Sequence, residues 1–171
     1  TPFPIFVDLE TVPPLVIGTA ENLVAKIRLL LKFAPVVDVI TDGAALPHLY
    51  QMPNVCRIVD MSYDAPKAQL EAHIKGRPLI IVETLDDKRD AALSAIARGY
   101  GVPVNIPDTP ALCSFYLGSI VDRAPVTVAI STSGMAPVLG QNLRAKIEDM
   151  LPSSFGELAV YLHRLRKRLR H

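Results

Sequence analysis

The chain has 171 residues, of which 50% are hydrophobic and 20% are charged, and its formal net charge is +1. This composition is typical of a folded globular protein, and the near-neutral charge excludes nucleic acid or a membrane surface as the partner of the chain as a whole. Tryptophan is absent and aromatic residues make up 6% of the chain. The core must therefore be mostly aliphatic, which suits a parallel sheet covered by helices.

The first segments predict a βαβ unit. A short apolar strand is expected at 14–18 and a second one at 36–41. Between them, residues 21–33 carry apolar side chains at helical spacing. A connection of this length joins two parallel strands by a right-handed crossover.

The same alternation continues through the following residues. Apolar runs predict strands at 55–59, 79–82 and 102–105, and periodic segments predict helices at 65–73 and 87–98. The helix at 87–98 has Asp86 as a candidate N-cap and Gly99 as a candidate C-cap. The alternation predicts an α/β fold with a Rossmann-type, doubly wound parallel sheet. We assign it to a domain of residues 1–109.

The pattern changes after residue 109. Two adjacent strands are expected at 114–120 and 126–131, followed by helices at 137–150 and from 155 to the last residue. We predict a dimerisation and substrate-site segment at 110–150 and a C-terminal helical segment at 151–171. This part is too small to cover its own strands, and exposed strand edges invite pairing, so we expect a homodimer.

Four further features bear on partners, location and metal binding. Residues 164–170 are strongly basic, and they can be either a nucleic-acid or lipid patch or the solvated face of a terminal helix. Cys56 and Cys113 lack metal-ligand spacing, so we expect both to be reduced and buried, as in a cytoplasmic protein. No run reaches the roughly 18 apolar residues of a membrane span. Together with the near-neutral net charge, this leads us to expect neither a membrane nor a nucleic-acid partner. The four histidines do not share a spacing that would predict a metal site.

The turn from Gly18 to Leu23 is the first candidate site. A Rossmann turn has the pattern G-x-G-x-x-G/A, in which the glycines allow a tight turn, a close approach of pyrophosphate and close helix packing. Only Gly18 is kept, because Ala20 and Leu23 occupy the other two positions. The turn can either bind a dinucleotide at the helix N-terminus or preserve the fold without the ligand.

Three other segments are candidate sites. Asp42 and Gly43 follow the second strand, where an acid commonly binds the ribose of NAD, although they also suit a plain turn. The segment 105–108 ends in Asp108, a carboxylate that could move protons, hold a metal or cap a turn. The segment 131–134 precedes a helix and could cradle an anionic group or act as turn and capping residues.

These segments together resemble the precorrin-2 dehydrogenase/sirohydrochlorin ferrochelatase family, which forms the N-terminal module of siroheme synthase. The resemblance covers nearly the whole chain. It is carried by Pro4–Leu9, which is similar to the family's opening strand, and by Lys26–Leu31, Val104–Asp108, Ser119–Thr132, Gly134 and Ala136–Leu139.

The resemblance implies NAD⁺-dependent oxidation of precorrin-2 to sirohydrochlorin, with insertion of Fe²⁺ in many members, by a homodimer. It implies Asp108 as the catalytic residue and no resident metal. The cofactor contacts it implies are Gly18, Glu21, Asn22, Asp42, Gly43 and Thr84. The substrate contacts are Asn105, Arg123, Ser131, Thr132 and Gly134.

The chain departs from the family pattern mainly on the nucleotide side. Its first turn lacks two glycines, Glu83 adds a negative charge near an anionic cofactor, and Ser133 replaces one glycine of a pair. The terminal helical part is shorter than usual, as in a truncated chain or a piece of a fusion. Two alternatives therefore stay open: a redox-inactive chelatase or tetrapyrrole-binding protein, and a non-enzymatic dimeric interaction protein.

Overall fold

The computed structural model describes residues 2–19, 21–41, 49, 51, 56–59 and 61–169, with the backbone alone for residues 21 and 22. These residues form two compact units, one of residues 3–115 and one of the described residues from 116 onward. The sequence pattern had placed the boundary after residue 109. Residues 110–115 stay with the first unit because the Ser114 amide donates to the carbonyl of Val104 at 2.8 Å.

The first unit is a parallel sheet with helical connections. Its strand order, among the described residues, is β3-β2-β1-β4-β5, with every neighbouring pair parallel. The predicted Rossmann-type α/β fold is therefore confirmed. The strands are β1 Leu15–Gly18, β2 Val37–Thr41, β3 Cys56–Ile58, β4 Ile80–Glu83 and β5 Val104–Asn105, and the helices are α1 Glu21–Leu30, α2 Lys67–Ile74 and α3 Asp87–Gly99, followed by a 3₁₀ turn at Pro110–Leu112.

The core of this unit lies around the central strands. All four residues of β1 are buried, which is the pattern expected when a parallel sheet is covered on both faces. Leu15 and Ile17 of β1 pack in one apolar cluster with Leu93 of α3 and Ile74 of α2. The chain passes from β3 to the other side of β1 to form β4, so the strand order reverses between β1 and β4.

A buried ion cluster braces the amino ends of the strands. Asp38 pairs with Leu15, the first residue of β1. Its carboxylate accepts bonds from Nε of Arg57 at 2.6 Å and from Nη1 of Arg77 at 2.5 Å. Burial alone would raise the pKa of Asp38, but the hydrogen bonds and charges of the two arginines hold that pKa below its usual value.

The second unit contains an antiparallel hairpin and two helices. These are β6 Ser119–Arg123, β7 Val126–Ile130, α4 Pro137–Met150 and α5 Phe155–Arg168. The strand predicted at 114–120 is wrong over its first part, because the observed strand begins at Ser119 and continues through Arg123. Arg123 pairs with Val126, so the turn needs only Ala124 and Pro125 and the polar residues before it remain in the strand.

The ends of the elements show where local signals were sufficient. Asp86 is the N-cap of α3 as predicted, since its carboxylate accepts from the amides of Lys88 and Arg89. Gly99 is the last helical residue rather than the cap, and the left-handed position falls on Gly101. Residues 4–9, which are similar to the family's opening strand, form no strand in the described part of the chain.

Cys56 and Cys113 are buried free thiols, as predicted. Within the described residues, no helix has the length and apolar character needed to cross a membrane. The basic residues of α5 are exposed, which agrees with the solvated face of a helix.

Candidate functional site

The carboxyl ends of three strands meet at one edge of the sheet. Gly18, the last residue of β1, pairs with Thr41 of β2 on one side and with Glu83 of β4 on the other. This edge is also where the strand order reverses. In open α/β sheets, ligands bind in the crevice at this position, so the sheet itself defines the candidate site.

Gly18 is required by the packing of the two central strands. A Cβ at this position would overlap the carbonyl oxygen of Glu83 and would lie 2.6 Å from the carbonyl carbon. The next residue, Thr19, donates its amide to the same oxygen at 3.1 Å. The packing of the strands therefore requires glycine at position 18 whether or not a ligand binds there.

The rest of the turn leads into α1, which begins at Glu21. Leu23, at the position of the third glycine in a Rossmann turn, is completely buried and serves as a core residue. Amide groups at the start of a helix commonly bind phosphate in nucleotide-binding folds. The side chains of Glu21 and Asn22, and the whole of Asp42 and Gly43, lie outside the described residues.

Thr84 holds the loop that follows β4. Its hydroxyl donates to Oδ1 of Asp90 at 2.6 Å, and its amide donates to the same oxygen at 3.1 Å. The amide of Asp86 in turn donates to the Thr84 hydroxyl at 3.3 Å. The single hydroxyl hydrogen of Thr84 is therefore committed to the loop, although the residue does lie beside Glu83 at the candidate site.

Leu85 is a feature of this site that the sequence reasoning missed. It has a left-handed φ of 63°, and the residue is 70% exposed. Left-handed non-glycine residues are uncommon and cluster where a site requires them. The sequence signal for it was an apolar residue between a buried strand and the N-cap of α3. Leu85 places an exposed apolar side chain two residues after Glu83.

Asn105 is the last residue of β5, and Asp108 follows this strand at the same edge. Asn105 pairs with Ile81, two residues before the end of β4. The Asn105 side chain points inward, since Nδ2 donates to the carbonyl of Phe115 at 3.0 Å. Asp108 is exposed and has a left-handed φ of 62°. The structure therefore brings Asp108 to the carboxyl edge, after β5, which lies next to β4 in the sheet.

Arg123, which the resemblance implies as a substrate contact, makes hydrogen bonds within the second unit. Its guanidinium donates to the carbonyls of Leu151 at 2.8 Å, Asp122 at 2.9 Å and Glu148 at 3.2 Å. Glu148 belongs to the last turn of α4 and Leu151 follows that helix, where orphan carbonyls and the helix dipole favour a cation. Three of the five N–H groups of an arginine are thereby committed, two of them to the end of α4 and one to the carbonyl of Asp122.

The segment 131–134 forms an exposed loop between β7 and α4. Ser133 and Gly134 are both left-handed, with φ values of 55° and 77°. Ser131 accepts the Ser133 amide at 3.2 Å, and the Thr132 hydroxyl accepts the Ala136 amide at 3.4 Å. Successive turn amides of this kind form concavities that suit anions.

The hairpin register keeps Arg123 and this loop apart. Arg123 pairs with Val126 at the turn, whereas Ile130, which precedes the loop, pairs with Ser119 at the open end. The two ends are four residue steps apart along the strand, which is about 13 Å. The structure therefore does not bring Arg123 together with Ser131, Thr132 and Gly134 within this unit. Among the described residues, no group of histidine, cysteine and acidic side chains could hold a metal ion.

The strand order and the reversal at β1 and β4 define a Rossmann-type α/β protein. Residues 5–119 match the family model described as "Putative NAD(P)-binding", and the chain belongs to this family. Residues 123–150 match a second model, "Sirohaem biosynthesis protein central". The first model spans nearly all of the first unit, and the second spans β7 and α4 of the second unit.

The chain is similar to curated siroheme synthases, as the sequence resemblance predicted. It is 35% identical to that of Nitrosomonas europaea over 98% of this chain and 34% of that protein. It is 39% identical to that of Methylococcus capsulatus, again over 98% of this chain and 34% of the relative. The chain thus spans about a third of the length of these relatives.

A solved structure supports the fold. The protein "SirC, precorrin-2 dehydrogenase" superimposes with a TM-score of 0.71 over 96% of this chain and 78% of that chain. The two sequences are 18% identical. At this identity, the likeness concerns the architecture.

Proposed function

We propose that this chain is an NAD-dependent precorrin-2 dehydrogenase of siroheme biosynthesis. The reaction converts precorrin-2 and NAD⁺ to sirohydrochlorin, NADH and a proton. One observation carries the proposal: the exposed Asp108 has a left-handed conformation in the turn that follows β5, at the carboxyl edge of the sheet. Similarity to the siroheme synthases, and a fold shared with a protein titled precorrin-2 dehydrogenase, support the substrate.

The described residues at the first turn fit NAD⁺ in part. The switch point, the tight turn at Gly18 and the start of α1 at Glu21 are those of a dinucleotide site. When bound there, NAD⁺ would supply the hydride acceptor. Gly18, Glu21, Asn22, Asp42, Gly43 and Thr84 are the residues proposed to hold it. Glu83 places a carboxylate at this edge, so we expect weaker dinucleotide binding than a glycine-rich turn provides.

Asp108 is proposed to remove the proton that leaves precorrin-2 as the hydride is transferred. A carboxylate is suited to this task when it is exposed to the substrate and fixed in direction. The left-handed backbone conformation of Asp108 sets the direction of its Cα–Cβ bond, and the exposure of the residue leaves the carboxylate oxygens accessible. The apolar side chain of Leu85 offers a surface for a flat ring on the same edge.

The substrate carries many carboxylates, and main-chain amides are suitable donors to them. Ser131, Thr132 and Gly134 are proposed to bind it through the amides of their exposed loop. Asn105 is proposed to act by shaping the segment that leads to Asp108, since its amide group is hydrogen-bonded inside the fold. Arg123 is proposed to contribute through the helix end that it caps, with two N–H groups left for the substrate.

The second unit supports a homodimer. A two-stranded hairpin is marginal by itself, and α4 and α5 leave large apolar side chains exposed. Those side chains include Val138, Leu139, Tyr161, Leu162 and Leu165. A second copy would cover this surface, and light scattering coupled to size-exclusion chromatography should give twice the mass of the chain. A monomer at micromolar concentration would contradict the dimer.

Iron insertion and cytoplasmic location are also proposed. Fe²⁺ would be a substrate, and Asp108 could take up the protons that the macrocycle nitrogens release when the metal enters. The two buried free thiols support a reducing compartment. No membrane or nucleic-acid partner is proposed.

The test is turnover of precorrin-2 by the purified chain. NADH formation at 340 nm and the sirohydrochlorin spectrum should rise together with NAD⁺ present. Asp108→Asn should slow the formation of both products by about 10²-fold or more while calorimetric NAD⁺ binding remains. A folded dimer that binds NAD⁺ and forms no sirohydrochlorin would contradict the proposal.

A second candidate is a redox-inactive chelatase or tetrapyrrole-binding protein. The carboxylate of Glu83 at the switch point and the missing glycines favour it. Under this proposal, sirohydrochlorin binds and Fe²⁺ is inserted without NAD⁺, and calorimetry detects no dinucleotide binding. Tight NAD⁺ binding would exclude it.

A further inference from the structure

The loop that carries Asp108 is a strained β-turn. The amide of Thr109 donates to the carbonyl of Ile106 at 3.2 Å and closes a turn with Pro107 and Asp108 at its centre. Asp108 has a φ of 62°, and turns with a left-handed third residue normally place glycine there. Since a side chain at such a φ costs free energy, contacts outside the turn must hold it.

The thiol of Cys113 contacts both ends of this turn. The amide of Ile106 donates to Sγ at 3.2 Å, and Sγ lies 3.2 Å from the carbonyl of Ile106 and 3.5 Å from that of Thr109. Nδ2 of Asn105 approaches the same sulfur at 3.6 Å. A thiol has one hydrogen, so it donates to one carbonyl at a time while accepting from the amides. The sulfur therefore joins the first and last residues of the turn.

Cys113 is itself fixed by the sheet. Its neighbour Ser114 donates its amide to the carbonyl of Val104 at 2.8 Å, and the Ser114 hydroxyl accepts the amide of Val104 at 2.8 Å. On the other side, the Ser94 hydroxyl of α3 donates to the carbonyl of Leu112 at 2.8 Å. The position of the sulfur is thus set by β5 and α3, and the sulfur transmits that position to the turn.

We propose that Cys113 is a positioning residue: its thiol keeps the Asp108 turn in the left-handed conformation that aims the carboxylate. The consequence for catalysis rests on the proposed function. The effect of the thiol on the turn conformation, here called the mechanical part, does not depend on the proposed function. It can be measured as coupling between Cys113 and Asp108 in the free energy of unfolding. The two parts can therefore fail separately.

The first arm measures thermal unfolding of the full chain with Asp108→Gly, Cys113→Ala and both changes together. With Cys113 present, glycine relieves the strain and the Tm should rise by about 2–4 °C. With alanine at 113, the turn has already relaxed, so the same change should raise the Tm by less than half as much. Equal shifts in the two backgrounds would overturn the proposal.

The matched control is Cys56, the other buried free thiol. It lies on β3 at the opposite side of the sheet order from β5. Cys56→Ala combined with Asp108→Gly should therefore show additive Tm shifts. If Cys113→Ala does not fold, Cys113→Ser serves in the same cycle, because a hydroxyl keeps the donor and acceptor with a shorter reach. Coupling that is equal for both cysteines would also overturn the proposal.

The second arm measures precorrin-2 oxidation. Misplacing a reacting group lowers turnover steeply, so we expect Cys113→Ala to reduce kcat about tenfold or more while KM for NAD⁺ is unchanged. Cys113→Ser should recover part of the loss, and Cys56→Ala should retain full turnover. An unchanged kcat in folded Cys113→Ala would overturn the positioning role. If the unmodified chain turns over no precorrin-2, the proposed function fails and the unfolding cycle still decides the mechanical part.

Discussion

Asp38→Asn tests what holds the amino ends of the strands together. The Asp38 side chain is 1% exposed and binds Arg77, whose side chain is 12% exposed. Asparagine keeps the shape and removes the charge, which leaves the Arg77 charge uncompensated in a nearly buried position. Breaking a buried ion pair from one side costs about 3–5 kcal/mol. We expect the free energy of unfolding to fall by that amount.

The partners of Asp38 should give graded losses. Arg57 makes the 2.6 Å contact, but its side chain is 63% exposed, so water and salt reduce the loss in Arg57→Ala to about 1 kcal/mol or less. Arg77→Ala should approach the Asp38→Asn loss, because Arg77 also donates to the carbonyls of His73 and Pro13. As a surface control, Lys67→Ala removes an exposed pair with Glu71 and should cost less than about 0.5 kcal/mol.

The loss of unfolding free energy in Asp38→Asn should become smaller as the pH is lowered. The folded pKa of Asp38 is below its usual value because its arginine bonds outweigh burial, which alone would raise it. The unfolded value is about 3.9, so the stabilisation is fully present above that pH and disappears as pH falls through the folded pKa. The difference between the unmodified chain and Asp38→Asn should be constant above about pH 5 and shrink at lower pH.

Urea unfolding followed by circular dichroism, repeated from pH 3 to pH 8, measures these losses. The candidate site lies at the opposite ends of the strands, so NAD⁺ binding per folded molecule should be unchanged in Asp38→Asn. Equal losses for Arg57→Ala and Arg77→Ala, or a difference that persists undiminished well below pH 4, would refute the reasoning.

Three further predictions concern the site and the thiols. Asp108→Asn tolerates the left-handed φ, so stability should be retained while kcat for precorrin-2 falls by about 10²-fold or more; unchanged turnover would exclude Asp108 as the base. Gly18→Ala should unfold at a much lower Tm in calorimetry, because its Cβ would overlap the backbone of Glu83; a Tm within a few degrees of the unmodified chain would contradict this packing. Burial raises the pKa of Cys56 to about 11, so Ellman's reagent at pH 8 should label this thiol only after denaturant is added, and rapid labelling of the native chain would show that it is accessible.

The sequence determined the sheet and most of its elements because the signals are local. Apolar runs such as residues 79–82 mark buried strands, and Asp86 caps its helix through the amides of Lys88 and Arg89, two and three residues away. The segment around Asp108 could be singled out in the same way. These features depend on neighbours within a few residues, so reading the chain in order was sufficient.

Only the tertiary structure decided which groups meet. It committed Arg123 to the end of α4, 25 and 28 residues away, and placed the 131–134 loop at the other end of the hairpin. It also put the sulfur of Cys113 against the turn that carries Asp108. Side chains such as Arg123 have several possible partners of equal chemistry along the chain, and packing of the strands and helices selects one of them. The sequence by itself therefore determined the architecture and the candidate residues, whereas the folded chain decided which of their polar groups remain available to a ligand.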